Sequence, residues 1–207
     1  HDEHLALIKL CIELVDKKAL IIAGTGSNST AEAIAMTNQA EKFGADAALI
    51  VSPYYNKPTQ AGIYAHFKAI NDNTSLPIII YNIPGRSVID IDDDIIARLA
   101  ELKNIIGLKD ATGDLSRPLS LKFKLKTKDF IQLSGEDATA LAFNVNGGNG
   151  CISVAANLVP GLCQAMQQAF FDNDLALASR LNQQLYELNR ALFLETSPGP
   201  IKYALSR

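Results

Sequence analysis

Residues 76–109, "LPIIIYNIPGRSVIDIDDDIIARLAELKNIIGLK", decide the fold because they hold two apolar runs separated by a helical stretch. The runs "LPIIIY" and "NIIGLK" are nearly continuous, which is typical of strands buried on both faces of a parallel sheet. Between them, Asp92 is placed to cap a helix over "DDIIARLAEL". A strand, a helix and a second strand in this order predict one βαβ unit.

The same unit recurs along the chain. Ser29 and Glu32 have the spacing of a capping box at the start of "TAEAIAMTNQAEKF", and Gly44 follows that helix as its expected stop. Strand-like runs begin near Ala19, Ala47, Leu76, Asn104, Phe130 and Gly150. This repeat allows two architectures, an open doubly wound sheet or a closed (β/α)₈ barrel.

Two features favour the barrel. "GTGSNS" after the first run lacks the third glycine of a nucleotide-binding fingerprint. Polar residues instead recur where the runs end: Thr25, Tyr54, Tyr55, Tyr81, Lys109, Ser134 and Ser153. Because the carboxyl ends of barrel strands meet at one mouth, where the active site lies, we predict an α/β fold of the (β/α)₈ TIM-barrel class.

The number of strands is too small for a complete barrel. Six runs are visible where a barrel needs eight, and the chain opens in an amphipathic helix containing Leu5, Ile8, Ile12 and Val15. Such barrels usually have about 250 residues, whereas this chain has 207. We therefore expect a fragment or truncated form that lacks the first strands of the barrel.

Composition argues against several classes of partner. The net charge is -3, and the basic residues are scattered apart from a short run at 122–128, so no nucleic-acid partner is expected. The apolar runs are far shorter than the roughly 20 residues of a membrane-spanning helix. No signal peptide opens the chain, so we expect no membrane partner and a cytoplasmic location.

Neither the cysteines nor the histidines have a metal-binding pattern. Cys11, Cys151 and Cys163 lack ligand spacing and are interpreted as small buried apolar residues in a reducing compartment. His1 and His4 lie one helical turn apart, but no cysteine or carboxylate set completes a metal site. We therefore predict no bound metal.

Lys109 ends an apolar run, where a charged amine is costly unless its methylenes carry it to water. Alternation places Ile105 and Gly107 on the face of Lys109, with Ile106 and Leu108 on the other face and room for the amine beside the glycine. If that face points into the barrel, burial lowers the pKa of the amine from about 10.4 toward neutrality. A neutral amine can attack a carbonyl group to form a Schiff base.

Tyr81 ends the preceding run. Its hydroxyl can both donate and accept the proton that a carbinolamine exchanges. Since adjacent parallel strands lie about 4.8 Å apart, Tyr81 can approach Lys109 if both side chains face inward. The alternative is an aromatic residue that packs at a strand end with its hydroxyl in water.

The chain resembles the dihydrodipicolinate synthase family, pyruvate-dependent class I aldolases that include N-acetylneuraminate lyase. Four stretches carry the resemblance: "PYYNKPTQAGIYAHFKAI" (53–70), "IIIYNIPGRS" (78–87), "IIGLKDATGD" (105–114) and "LSGEDA" (133–138). It implies an N-terminally incomplete barrel over residues 1–159 and an incomplete C-terminal helical region over residues 160–207. It also implies a homotetramer built as a dimer of dimers.

The resemblance implies an enzyme that condenses pyruvate with L-aspartate-4-semialdehyde to 4-hydroxy-tetrahydrodipicolinate, on the route to diaminopimelate and lysine. By this resemblance, Lys109 forms the Schiff base and Tyr81 relays protons. Tyr55 is implied to cross a dimer interface into the proton relay of the neighbouring subunit. No cofactor is implied, because Lys109 itself supplies the electron sink.

Substrate binding is implied at three positions. Arg86 matches the arginine that holds the carboxylate of the semialdehyde, while Gly135 and Ile152 match positions lining the pyruvate pocket. Sialic-acid lyases usually lack this arginine after "YNIP". Arg86 therefore favours the synthase over the alternatives, an N-acetylneuraminate lyase or a 2-keto-3-deoxy sugar-acid aldolase.

A regulatory site is also implied. The residues that match the family's L-lysine feedback site are His1, His4, Asn28, Glu32 and Tyr54. A carboxylate such as Glu32 can pair with the amine of the effector. The alternative is that Glu32 only completes the capping box with Ser29.

The chain departs from the family pattern at both ends. The family's "GTTGE" stretch, whose threonines bind pyruvate and join the two tyrosines of the relay, is absent. At the other end the chain stops at "PIKYALSR", where relatives continue through further helices. A further alternative is therefore a catalytically inactive truncated remnant.

Overall fold

A computed structural model describes residues 1–125 and 129–207. The described chain divides into two packing units. The first comprises residues 1–112 and 120–131, and the second comprises residues 113–119 and 132–207. The predicted domain boundary between residues 159 and 160 stays a prediction.

The first unit alternates strands and helices. Its elements are α1 (Asp2–Val15), β1 (Ile22–Gly24), α2 (Thr30–Phe43), β2 (Ala47–Val51), α3 (Gln60–Asn71), β3 (Ile78–Asn82), α4 (Pro84–Ser87), α5 (Asp93–Ala100) and β4 (Ile105–Asp110). Two elements cross the division: α6 (Arg117–Leu125) and β5 (Ile131–Ser134). The second unit continues with α7 (Ala140–Val145), α8 (Pro160–Phe171), α9 (Leu175–Ala191) and α10 (Gly199–Leu205).

Strands β1 to β4 are parallel and lie side by side in chain order. Five of the predicted runs are strands, although β1 begins only at Ile22. The sixth predicted run is reduced to one parallel bridge between Ser134 and Cys151. Beyond the bridge, the Ser153 hydroxyl and the amides of Val154 and Ala155 donate to the Asp137 carboxylate instead of to a neighbouring strand.

Each unit has its own apolar core. In the first, Ile50, Ile80 and Leu108 of the sheet pack in one cluster with Phe67 of α3 and Ile96 of α5. The core of the second unit is formed mainly by the helices, with Ala140, Ala155, Met166, Leu185 and Ile201 buried together. Consecutive residues Ile78, Ile79 and Ile80 of β3 are all buried, and this burial on both faces of the sheet explains why the strand runs are continuously apolar.

A β-bulge in β4 changes the predicted alternation. The register of β3 and β4 shifts by one residue near the start of β3, and the extra residue on β4 is Ile106. Ile105 therefore packs beside Leu108 in the helix-facing core. The prediction that Ile105 shares the face of Lys109 is wrong.

Gly107 serves close packing of strands. A Cβ atom built on it would lie 2.6 Å from the backbone oxygen of Ile131 and 2.9 Å from its Cβ. The missing side chain thus lets the first residue of β5 approach β4. The prediction that Gly107 leaves room for the amine of Lys109 is wrong, because Ile131 takes that space.

The helix ends largely follow the predicted caps. The Ser29 hydroxyl accepts a hydrogen bond from the Glu32 amide at 3.4 Å, and Gly44 ends α2 in the left-handed region with φ 95°. The Ser29 amide, however, donates to the Ser27 hydroxyl oxygen at 3.1 Å, and that hydroxyl donates to the Glu32 carboxylate at 2.8 Å. The prediction that Glu32 accepts directly from the Ser29 amide, as in a capping box, is therefore wrong. Asp92 is the N-cap residue of α5, but its side chain makes no capping hydrogen bond within the described residues.

Membrane-spanning helices, metal-binding clusters and the basic run can be described only for residues 1–125 and 129–207. None of their helices combines the length and the hydropathy of a membrane span. Their His, Cys, Asp and Glu side chains form no group of three or more that could hold a metal ion. Cys163 is buried and Cys151 is partly buried, but Cys11 is exposed on α1, so the prediction that Cys11 is buried is wrong. The basic run begins in α6, and its residues 126–128 lie outside the described part of the chain.

Candidate active site

Lys109 and Tyr81 lie side by side at the carboxyl ends of β4 and β3. They are direct partners in the parallel register, and the Lys109 Nζ atom lies 4.0 Å from the centroid of the Tyr81 ring. Both residues are partly buried. An amine over a ring face is attracted by the negative charge of that face, which orients the amine.

A cavity of about 470 Å³ has Tyr81, the contact partner of Lys109, in its wall. The other walls come from the ends of β1 and β2 and from α4. Gly26 makes the arrangement possible, since a Cβ atom there would lie 2.6 Å from the Val51 nitrogen. A cavity of this size accommodates a small ligand.

Arg86 brings a positive charge to the cavity. It lies on the single-turn helix α4 and lines the cavity together with Ile83 and Ser87. The Ser87 hydroxyl donates to the carbonyl of Ile83 at 2.9 Å and to that of Ile89 at 3.0 Å, which closes the turn. A guanidinium held in this way can bind a carboxylate with two parallel hydrogen bonds.

Asn82 was missed by sequence reasoning. Its buried side chain donates to Asp90 Oδ1 at 2.7 Å and accepts from the Ile91 amide at 3.3 Å. Its carbonyl accepts from the Ala111 amide at 2.9 Å. The sequence did show an asparagine at the end of a buried run. Its partners Asp90 and Ile91, however, become its neighbours only when the loop of residues 83–90 closes.

Several polar residues predicted at the mouth have structural partners instead. The Thr25 hydroxyl is buried and lies 2.9 Å from that of Thr37 on α2. The Ser134 hydroxyl donates to the Glu136 carbonyl at 3.0 Å. With Ser153 bonded to Asp137, these three strand-end side chains stabilise turns and helix packing.

Gly135 and Ile152 lie close together within the second unit. Gly135 directly follows Ser134, whose carbonyl accepts a hydrogen bond from the Ile152 amide at 2.9 Å. Both residues are partly buried. This backbone pairing brings the two predicted pyruvate-lining positions to adjacent chain segments.

Tyr55 has an unusual exposure. It is 87% exposed and adopts a left-handed backbone conformation with φ 72°. That conformation is uncommon for residues other than glycine and needs support from the surrounding loop. A large aromatic side chain in such a position is available to a partner rather than packed within its own chain.

Four of the five predicted regulatory residues form two contacting pairs. His1 Nε2 lies 3.6 Å from Glu32 Oε2, and both residues line a cavity of about 320 Å³ between α1 and α2. The Asn28 side chain donates to the Tyr54 carbonyl at 3.2 Å. His4 is exposed at the start of α1.

His66 is a buried histidine that sequence reasoning did not single out. Its Nδ1 atom lies 2.9 Å from the hydroxyl of Thr30, the first residue of α2. Burial lowers the pKa of His66 to about 4 because the charged ring would lose its hydration. It is therefore neutral in the folded chain at neutral pH.

Residues 1–207 match the Dihydrodipicolinate synthetase family along their whole length. The chain belongs to this family. It is 59% identical over 206 residues to the 4-hydroxy-tetrahydrodipicolinate synthase of Rhodospirillum centenum, covering all of this chain and 70% of that protein.

Solved structures of the family have the same fold. The chloride-inhibited dihydrodipicolinate synthase from Acinetobacter baumannii, complexed with pyruvate, is 45% identical with a TM-score of 0.95, covering 99% of this chain and 70% of that one. The lysine-bound synthase from Cyanidioschyzon merolae is 40% identical with a TM-score of 0.95, at the same two coverages. The predicted family and the predicted TIM-barrel class are confirmed.

Proposed function

We propose that the chain is a 4-hydroxy-tetrahydrodipicolinate synthase, a lyase that condenses pyruvate with L-aspartate-4-semialdehyde through a Schiff base. The observation that carries this proposal is the contact of Lys109 with Tyr81 beside a cavity that Arg86 lines. The family membership supports the same function. A lysine, a tyrosine and an arginine supply the nucleophile, the proton donor and the carboxylate ligand that this condensation needs.

The first half-reaction takes place on Lys109. Its neutral amine adds to the keto carbon of pyruvate, and loss of water from the carbinolamine gives a protonated imine. The Tyr81 hydroxyl donates and removes protons during these steps. Removal of a methyl proton from the bound pyruvate then gives an enamine, because the imine nitrogen accepts the electron pair. The pyruvate complex of the Acinetobacter baumannii relative supports this choice of first substrate.

The second half-reaction uses the semialdehyde. The enamine carbon attacks the aldehyde carbon, and the amine of the substrate displaces Lys109 from the imine as the ring closes. Arg86 binds the carboxylate of the semialdehyde during this step. Its position at the cavity favours this substrate over the sugar acids of the alternative aldolases. Gly135 and Ile152 stay predicted pyruvate-lining positions.

We also propose that L-lysine binds to the residue set His1, His4, Asn28, Glu32 and Tyr54. The partly enclosed space beside His1 and Glu32 and the lysine complex of the Cyanidioschyzon merolae relative support this site. The Glu32 carboxylate is placed to pair with an ammonium group. Calorimetric titration with L-lysine, compared between the chain and Glu32→Gln, tests it, and equal heats of binding would contradict it.

Assembly and location follow the family. We propose a homotetramer in the cytoplasm, in which Tyr55 of one subunit reaches the proton relay of another. The exposure of Tyr55 supports this role, because the residue is not packed within its own chain. Sedimentation equilibrium of the chain and of Tyr55→Ala, together with the rate of condensation, tests the assembly and the role of the tyrosine.

Substrate choice is the direct test of the proposed function. We expect the chain to condense pyruvate with L-aspartate-4-semialdehyde and to leave N-acetylneuraminate and 2-keto-3-deoxygluconate uncleaved. Lys109→Arg is the matched control, since it keeps the charge but loses the nucleophilic amine. Cleavage of the sugar acids without condensation would favour the alternative aldolases. No reaction at all would favour an inactive remnant.

A further inference from the structure

The loop of residues 83–90 carries Arg86. Its backbone adopts a conformation that its own residues do not favour. Val88 adopts φ 68°, in the left-handed region that β-branched residues rarely enter. Its amide donates to the Pro84 carbonyl at 2.9 Å, which closes α4. Such a conformation persists only where the surroundings impose it.

Asn82 supplies much of that constraint. It precedes the loop, and its amide group donates to Asp90 at the other end at 2.7 Å, while its oxygen accepts from the Ile91 amide. One side chain therefore joins the two ends of the loop. Asn82 is fully buried and its carbonyl is bound by the Ala111 amide beyond β4, so the joint is anchored to the sheet.

We propose that Asn82 is a positioning residue that holds the loop of residues 83–90 closed and thereby keeps Arg86 at the cavity for the carboxylate of the semialdehyde. This inference rests on the proposed function, because Arg86 is taken to bind that carboxylate. Asn82 is fully buried and is not among the residues that line the cavity. We expect loss of its side chain to affect the second substrate, since the side-chain bonds join the ends of the loop, whereas backbone pairing of β3 with β4 holds Lys109 and Tyr81.

The test separates the two substrates. Reduction with borohydride in the presence of pyruvate converts the imine on Lys109 into a stable adduct, which no longer turns over. Calorimetric titration of that adduct with L-aspartate-4-semialdehyde measures the affinity that Arg86 provides. We expect Asn82→Ala to form the adduct normally but to bind the semialdehyde roughly 10- to 100-fold more weakly, as misplaced substrate-binding groups do.

Two further variants control for loss of stability. Asn82→Asp keeps the size of the side chain and its acceptor for the Ile91 amide but loses the donor to Asp90, so it weakens semialdehyde binding as well. Asn104→Ala removes a comparable asparagine that directly precedes β4, at the end of the strand away from Lys109. The Asn104 side chain donates to the carbonyls of Asn71 at 3.0 Å and Thr74 at 2.7 Å. This substitution leaves the affinity of the adduct unchanged.

Each other outcome decides the matter. Equal affinity of the Asn82 variants and the unchanged chain overturns the inference, and so does equal weakening by Asn104→Ala. Failure of the Asn82 variants to form the adduct also overturns it, because Asn82 would then act on Lys109. Absence of the adduct in the unchanged chain refutes the proposed function instead. An adduct in the unchanged chain that does not bind the semialdehyde refutes the role of Arg86 and with it the inference.

Discussion

The nitrogen of Lys109 lies 4.0 Å from the centre of the Tyr81 ring, and the two residues are register partners on adjacent parallel strands. Tyr81 can therefore act on Lys109 in two ways, through its ring and through its hydroxyl. The ring orients the amine through its negatively charged face, while the hydroxyl is the group that we propose to transfer protons. Substitutions that remove one contribution at a time can therefore distinguish them.

The first prediction concerns the hydroxyl of Tyr81. Tyr81→Phe keeps the ring under Lys109, and we expect it to slow formation of the borohydride-reducible pyruvate adduct by roughly 10²-fold or more. Timed reduction followed by mass spectrometry of the intact chain measures this rate. Tyr64→Phe is the control, because Tyr64 on α3 also lies under a cation. The Arg98 Cζ atom is 4.3 Å from the centroid of the Tyr64 ring. A rate unchanged by Tyr81→Phe would exclude the proton relay.

The second prediction concerns the charge of Arg86. Arg86→Gln is expected to raise the KM for L-aspartate-4-semialdehyde roughly 10- to 100-fold, because hydrogen bonds to charged groups contribute about 1.5–3 kcal/mol. Formation of the pyruvate adduct should not change. Steady-state kinetics with each substrate varied in turn makes the comparison, with Arg98→Gln as the matched variant on α5. An equal increase in both KM values would argue against a role specific to the semialdehyde.

The third prediction concerns the approach of β5 to β4. Gly107→Ala places a Cβ atom 2.6 Å from a backbone oxygen, and we expect it to lower the free energy of unfolding by about 1–3 kcal/mol or more. Urea denaturation measures the change. Gly161→Ala is the control, because a Cβ atom added there on α8 would meet nothing within 4 Å apart from its chain neighbours and the adjacent helix backbone. Equal stability of Gly107→Ala and the unchanged chain would contradict the packing.

The fourth prediction follows from the buried His66. Its folded-state pKa of about 4 lies below the unfolded value of about 6.5, so the unfolded chain binds more protons between these values. Its contribution to stability is therefore complete above about pH 6.5 and declines as pH falls toward 4, by up to about 3 kcal/mol.

Denaturation at pH values between 4 and 7 tests this dependence. His66→Asn, which cannot titrate, should show a shallower decline of unfolding free energy with acidification than the unchanged chain. His4→Asn is the matched control, since His4 is exposed and lacks this burial. If His66→Asn and the unchanged chain decline in parallel, the buried histidine is not the source of the acid sensitivity.

The sequence predicted the strands well because burial on both sides of a parallel sheet leaves continuous apolar runs. It failed at Ile105, because a bulge shifts the register without altering the apolar pattern. It failed in a similar way at Gly107, since a glycine in a strand fits either an open space or a close neighbour. Only the position of Ile131 decides between these two readings.

The candidate site was predictable to the same extent. Lys109 and Tyr81 could be paired because strand spacing and equivalent positions at strand ends are fixed by the sheet. Thr25 could not be assigned in this way, because its partner Thr37 belongs to the next helix. The hydrogen bonds of Asn82 with Asp90 and Ile91 depend on closure of the loop of residues 83–90, which no local sequence pattern specifies.

The most direct test of the account is the site of the pyruvate adduct. After incubation with pyruvate and borohydride, tryptic peptides are analysed by mass spectrometry for a reduced pyruvyl group, with Lys109→Arg as the control. We predict one modified lysine, Lys109, and no modification in the variant. Modification spread over exposed lysines, or undiminished in Lys109→Arg, would contradict the assignment of Lys109 as the nucleophile.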